Sequence, residues 1–464
     1  MKKYILSIIA VIIASTSMIS CKKFLERPVE GQLTEAEALK SEADLSALSN
    51  GIATLLGDAE FYGGRHQVLT ELLSDEYRGD RFTGDYSEIY RRQNSFFGGT
   101  RDAYYDRSYR IILDANIVLK NIALASADKN RIEGEAKFYR AIAHFELVRL
   151  FAQPWGFTPE NSHLGIPLRT ELSLLPKNRS TVKEVYDLIL SDLQSAESIL
   201  PDVSSGGKFY TPTKWAAKAI LAKVYFQQNN FAKAFQYANE VIASNKFILD
   251  ATFDKRFSKG LSTEGIFVIA DQVPPNKYSP GGDLRGNFRS DLGIPGFTFT
   301  DQFYNVATAR AADTRKAWYS KTLQAGFNVL TKYNKEFFDV PVVHLTEIKL
   351  IRAEAGAELG GANLVTAIAD INQVMTRAYG SNAFNLPTTA TAALVITTAR
   401  AERELEMVGE GNRTQEIKRI GARAGLNIDR RGSVWNCPGF ILQFPKGEAD
   451  ANTSFKLNPE GGCF

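Results

Sequence analysis

"TPTKWAAKAILAKVYFQQNNFAKAFQYANEVIAS", residues 211–244, decides the fold class. Apolar residues return every three or four positions on both sides of the polar break "QNN", the period of an amphipathic helix. Pro212 is expected at the first helical position with Thr211 as N-cap, a favoured order. A second helix is expected from Phe231. The stretch reads as two helices folded back on one another across a short turn.

Within it, Leu221, Ala222, Tyr225, Phe231 and Ala234 fall at the spacings of a tetratricopeptide repeat. Small alanines let two helices approach, and aromatics fill the space between neighbouring pairs. Upstream, "STVKEVYDLILSDLQSAESILP" carries Val182, Val185, Tyr186, Ile189, Leu193, Ala196 and Leu200 at helical steps. Thr181 with Glu184 predicts a capping box at its start, and Pro201 ends it. "YRIILDANIVLKNIALAS" with "RIEGEAKFYRAIAHFELVRLF" reads as an earlier hairpin, and "VVHLTEIKLIRAEAGAEL" with "LVTAIADINQVMTRAYG" as a late one. A single pair cannot bury its apolar face, so several are expected to stack. The expectation is an all-α protein: a scaffold of tetratricopeptide-like hairpins.

Between the helical blocks the texture changes. Residues 57–104 and 250–340 are rich in Gly, Pro, Arg, Asn and aromatics, with little periodicity. Long irregular stretches inside a compact chain are usually functional or disordered, and their aromatics argue against disorder. They are expected to be loop-rich insertions, in a helical part of about 34–250 and before a helical part of 341–425. The tail 426–464 is expected to be irregular.

The chain has only three cysteines. Lys2 and Lys3 precede an apolar run, Tyr4 to Ile13, that is shorter than the about 20 residues a bilayer span needs. It matches a secretory signal core followed by small residues. Ser20 directly precedes Cys21, as in a bacterial lipobox, so residues 1–20 are expected to be a signal and Cys21 the lipidated first residue of the mature chain. Lipid chains supply about 0.8 kcal/mol per buried methylene, enough for a stable tether when more than one is attached. Cys437 and Cys463 could form a disulfide, which an oxidising compartment permits, or stand unpaired in the tail. The net charge of +3, 55 Lys and Arg against 52 Asp and Glu, leaves no basic footprint for nucleic acid.

The order of these pieces resembles a SusD/RagB-type outer-membrane lipoprotein of the Bacteroidetes. "CKKFLERPVEGQLT", "YRIILDAN", "EGEAKFYRAIAHFELVRLFAQPWG" and "GIPLRTELSLLPKNRSTVKEVYDLILSDLQSAESILP" are followed by "TKWAAKAILAKVYF", "HLTEIKLIRAEAGAELG", "INQVMTRAYG" and "ERELEMVGEGNRTQEIKRIG" in the order the family shows. The resemblance implies one SusD-like domain over 21–464, with the ligand site on the insertions. It also implies a role in capturing glycans, or in some members peptides, at the cell surface. The partner it implies is a SusC-like TonB-dependent transporter, and the location an outer-membrane, lipid-anchored one facing the exterior.

Catalytic constellations are not apparent. His66, His144, His163 and His344 are scattered and form no metal-type pair, so neither metal nor cofactor is expected. Glu402 and Glu406 share a helix face in "ERELE", and two carboxylates can hydrolyse a glycoside. With Arg400, Arg403 and Arg413 close by, they are expected instead to join a structural ion-pair network, as are Glu135 with Arg140 and Glu354 with Arg352. Arginine suits such pairing through its planar fork. Asn116 is expected to be a buried, satisfied amide.

Sugars offer flat CH faces and rings of hydroxyls, so a binder needs aromatic platforms beside hydrogen-bonding groups. The first insertion offers Arg81, Tyr86, Tyr90, Asn94, Phe96, Phe97 and Tyr104; the second offers Tyr278, Asp283, Arg285, Asn287, Phe288, Arg289 and Phe297. Their richness in Tyr, Phe and Arg leans towards an acidic or substituted glycan, or a peptide. The competing readings are a helical envelope scaffold that binds no small ligand and a glycan-cleaving enzyme. Two long aromatic insertions disfavour the first, and the missing constellation the second.

Overall fold

The computed structural model describes residues 38–95, 98–173, 175–204, 209–271 and 282–463. The expected signal, the lipidation site Cys21, and the candidates Phe96, Phe97 and Tyr278 lie outside the described residues.

The chain is mostly helical. The first block comprises α1 (Glu42–Gly57), α2 (Arg65–Leu72), α3 (Gly84–Tyr90), α4 (Gly99–Lys120), α5 (Lys129–Phe151), α6 (Val182–Ile199), α7 (Lys214–Gln227) and α8 (Phe231–Ala243). Consecutive helices from α4 to α8 pack on one another, and α8 passes the stack on to α11 (Leu345–Leu359). There α12 (Ala362–Tyr379) and α13 (Ala392–Glu406) continue it, followed by α14 (Arg413–Ala424).

The predicted local rules hold for α6. The Thr181 hydroxyl accepts from the Glu184 N–H at 3.2 Å, and the Glu184 carboxylate accepts from the Thr181 N–H at 2.7 Å. Val182, Val185, Tyr186, Ile189, Leu193 and Ala196 are all buried. In the α7–α8 hairpin, Ala222, Ala234 and Ala238 are fully buried, and Tyr225 stacks on Tyr237 with ring centroids 5.7 Å apart. The cap of α7 differs from expectation. Thr213 is the N-cap, accepting from Ala216 N–H at 3.4 Å, while Thr211 is occupied with Ser204 at 2.7 Å. Pro212 thus sits just before the cap, where its missing N–H also costs nothing. Close helix approach has its own signature at Gly356 of α11. A Cβ there would lie 2.8 Å from the Asn363 carbonyl and 3.0 Å from the Phe235 ring.

The segments expected to be loop-rich carry short elements. The first contains α2 and α3. The second contains β1 (Gly265–Ile269), α9 (Gly282–Phe288), β2 (Thr298–Phe299), α10 (Asp301–Thr308), β3 (Tyr319–Ser320), β4 (Asn328–Leu330) and β5 (Val340–His344). β1 pairs with β5, and β2, β4 and β3 form a small antiparallel sheet in that order. The tail is irregular apart from a 3₁₀ turn and α15 (Lys446–Ala451), and the structure joins Cys437 to Cys463 in a disulfide.

A buried charged network ties the second insertion to the C-terminal helices. Arg315 reaches Asp313 and Glu402 at 2.7 Å and Glu406 at 3.1 Å, all almost fully buried. Arg256 meets Glu406 at 3.0 Å and Arg377 meets it at 2.8 Å. Burial alone would raise the Glu406 carboxyl, but Arg377, Arg315 and Arg256 outweigh it and hold it below the ordinary carboxylate range. Glu402 and Glu406 are therefore structural, as expected, but with partners from other segments. Arg400 pairs instead with Glu354, and Arg413 with Asp75. The other two expected pairs also differ. Glu135 pairs with Arg131, Arg140 with Asp192, and Arg352 with Asp370. Side chains two or five residues apart on a helix do not face each other, whereas those four apart do. Asn116 is buried and satisfied, accepting from Arg140 at 2.7 Å and donating to the Arg169 carbonyl at 3.0 Å. His144 is a core residue, fully buried with Nδ1 2.9 Å from the Arg140 carbonyl.

Candidate functional site

The two insertions meet through backbone. Arg78 N–H donates to the Thr298 carbonyl at 2.8 Å, Thr300 N–H donates to the Glu76 carbonyl at 2.9 Å, and Tyr77 bridges Phe299. Gly63 and Gly64 make room for a second junction. Asp283 N–H donates to the Gly63 carbonyl at 3.0 Å, and a Cβ on Gly64 would lie 2.3 Å from the Leu284 nitrogen. Gly64 also has φ +142°, a conformation that side chains rarely tolerate.

This junction buries many of the aromatics that a sequence reading offers as platforms. Phe288 and Phe297 are fully buried, stacked with centroids 4.4 Å apart, and both pack on Tyr77. Tyr104 is buried against Phe61 and His66. These three are core residues: aromatic surface is sequestered first where two segments without their own helical stack must share a core. Asn94 is likewise structural. It is buried and pins the tail, its side-chain amide donating to the Pro459 carbonyl at 3.0 Å and its backbone N–H to the Gly461 carbonyl at 3.2 Å. Tyr90 is half-buried, its hydroxyl on the Tyr77 carbonyl at 3.1 Å and its ring under Arg431 at 4.0 Å.

What stays at the surface is a smaller set drawn from both insertions. Tyr86 on α3 is half-buried, packed against Phe82, with its hydroxyl facing Asp283, Arg65 and Asn287. Burial, then the Asp283 carboxylate, raises that phenol, so it remains a neutral donor. Asp283 is held by Arg65 at 2.8 Å, and Asn287 donates to the Asp283 carbonyl at 2.8 Å. Beside them, exposed Arg81 donates to the Pro295 carbonyl at 2.9 Å, and Arg81 and Arg78 both lie over the Phe327 ring, at 5.3 and 5.6 Å. Arg285 lies over Phe338 at 5.4 Å, with Asp271 at 3.6 Å. Arg289 pairs with Asp291 at 2.7 Å. Arg65, Arg78 and Phe327 had no sequence signal beyond membership of arginine- and glycine-rich stretches; only the fold brings them here. The arrangement offers a ring face, a phenol, an amide and several guanidinium groups. It can stack on and hydrogen-bond to a polyhydroxylated or anionic ligand. No cluster among the described residues is suited to hold a metal.

A family model described as the SusD family matches residues 191–433, just over half of the chain. The chain belongs to the SusD family. A second model, described as starch-binding associating with outer membrane, matches residues 23–226. SusD-like protein P2 of Formosa agariphila is 32% identical over 266 residues, 55% of this chain and 48% of that protein. SusD-like protein P38 of the same organism is 29% identical over 261 residues, 54% and 48% of the two chains. The chain thus spans about half the length of the curated relatives it matches. Among solved structures, a SusD superfamily protein from Bacteroides vulgatus matches with a TM-score of 0.78 at 22% identity, over 91% of this chain and 99% of that one. A laminarin-binding SusD-like protein matches with a TM-score of 0.72 at 20% identity, over 91% and 100%. These likenesses show the SusD fold. Among the described residues, no helix is long and apolar enough to cross a membrane.

Proposed function

We propose that this SusD-family protein is a substrate-binding lipoprotein, not an enzyme. It captures glycans or oligosaccharides at the outer surface of a Bacteroidetes outer membrane and delivers them to a SusC-like TonB-dependent transporter. The mature chain is one domain, 21–464, tethered through lipid on Cys21. The observation that carries this reading is the region where the two insertions meet, in a chain of this family: Tyr86 of the first faces Asn287 of the second, and Arg81 of the first lies over Phe327 of the second, with Arg285 and Arg289 on the same insertion. Carbohydrate binding is supported by the family and by a fold shared with a laminarin-binding relative. The guanidinium groups favour a uronic or sulfated glycan over plain starch.

Isothermal titration of the protein beginning after Cys21, against neutral, uronic and sulfated oligosaccharides, tests the capture step. Binding to a charged glycan is expected, with Tyr86→Ala weakening it about tenfold or more, the scale of a lost stacking contact and hydrogen bond. Binding only to neutral glucans would remove the charge preference, and no binding to any oligosaccharide would remove the function. Replacement of Cys21 by Ala should release the protein from membranes, and detergent pull-down should recover a large β-barrel partner.

A further inference from the structure

A cavity of about 270 Å³ lies between α13, α14 and the start of the tail, and shares no residue with the patch around Tyr86. Met407, Ile420 and Ile428 give it apolar walls. Arg400, Arg403, Glu404, Arg413, Glu416 and Glu76 supply the charge.

Nearly every charged group here has its own partner. Arg400 donates to Glu354 at 2.8 Å, Arg413 grips Asp75 through Nε and Nη2 at 2.7 Å each, and Glu404 receives Arg430 at 2.6 Å. Glu416 is engaged by Arg419 at 2.8 Å. Arg403 is the exception. Its residue is only 2% exposed, yet Nε and Nη2 have no hydrogen-bond partner among the described residues. The nearest carboxylate oxygen, on Glu416, is 4.0 Å away. Those are the same two nitrogens through which Arg140 grips Asp192 and Arg413 grips Asp75. Phe226 packs on the guanidinium at 4.7 Å and helps to fix its plane. A buried guanidinium edge without acceptors is costly, so it marks a place for one.

Glu76 adds a second unused group, its Oε2 buried without a partner among the described residues. Burial, then Glu71 and Glu404, raises its carboxyl well above the usual range, which favours the protonated form that can donate.

We propose that this cavity binds a small organic monocarboxylate, whose carboxylate takes the free edge of Arg403 bidentately while its body lies on Met407, Ile420 and Ile428. A hydroxyl or carbonyl on the ligand meets Glu76. A cavity of about 270 Å³ suits a single ring or a short chain. It shares no residue with the patch proposed for glycan capture.

The test is titration of the intact mature chain with 4-hydroxybenzoate, phenylacetate and glucuronate, beside the neutral amides 4-hydroxybenzamide and phenylacetamide. At least one of the aromatic carboxylates is expected to bind, its amide at least about tenfold more weakly, as for loss of a charge-assisted pair. Arg403→Met should abolish binding. Because Arg403 is buried, Leu426→Trp serves as a second variant: Leu426 lines the same cavity, is 50% exposed, and its enlargement should block entry with the charged cluster intact. Oligosaccharide affinity should not change in Leu426→Trp. No carboxylate binding up to about 10 mM, equal binding of acid and amide, or full binding by Leu426→Trp would each overturn the proposal.

Discussion

The helical stack from α4 to α8 and the insertion over 250–340 are both buried, but by different means. In the stack, helices approach through alanines and fill the gaps with Leu221, Leu193 and stacked tyrosines. Among its described residues the insertion has no long amphipathic helix. It joins a shared aromatic core around Tyr77 and is fastened by Arg315 and Arg256, which meet carboxylates from α13. The contrast teaches that hydrophobic packing is generic and tolerant, whereas a buried ion network is specific but fragile: it fails when one member is lost. A surface that must hold particular side chains in particular places is thus mounted on the specific kind of attachment.

The largest expected effect tests that fragility. Arg315→Met strands Asp313, Glu402 and Glu406 in the interior and should cost about 3–5 kcal/mol by urea unfolding, with the insertion loosening first in hydrogen exchange. A loss under about 1 kcal/mol would remove the distinction between the two regions. Next, Leu221→Ala in the stack should cost about 3 kcal/mol through a cavity, while leaving ligand binding at the Tyr86 patch intact.

Acid should separate the regions by pH. Burial, followed by Arg140, depresses His144 of α5 to about 3, and burial outweighs the nearby Glu146 to depress His66 to about 4. Both stay neutral in the fold while the unfolded chain takes up protons below its ordinary histidine value near 6.5. Their stabilisation is therefore full above that value and is lost as pH falls from about 6.5 towards 4 and 3, by about 2 kcal/mol for His144 at pH 5. The Glu406 carboxylate, depressed in the fold, adds its loss only below the ordinary glutamate range. Flat stability between pH 7 and 5 would contradict this order. The smallest effect is local: Thr181→Ala removes one half of the α6 capping box and should cost about 1 kcal/mol by thermal unfolding, with no change at the patch.

The chemistry of the unused groups differs between the regions too. At the Tyr86 patch Arg81 is placed by the Pro295 carbonyl and the Phe327 ring, while Arg65 and Arg289 are paired with Asp283 and Asp291. In the cavity beside α13, the Arg403 edge is buried and unpartnered among the described residues. The patch suits an extended ligand; the cavity, of about 270 Å³, suits a compact one.

What the sequence determined by itself was local: helix period, the capping box at Thr181, the hairpin across Gln228–Asn230, and the burial of Asn116 on a helix face. Those depend on residues within four positions of one another or on apolar spacing, which a linear chain displays directly. The tertiary structure alone decided the pairing of Glu402 and Glu406 with arginines from other segments. It also decided the cap at Thr213, and which aromatics became core and which stayed outside. Phe288 and Tyr86 look alike in sequence, each an aromatic in a glycine- and arginine-rich stretch. Only the meeting of two segments hundreds of residues of contour apart determines which ring is covered, because burial is a property of surfaces brought together and not of the residue that carries them.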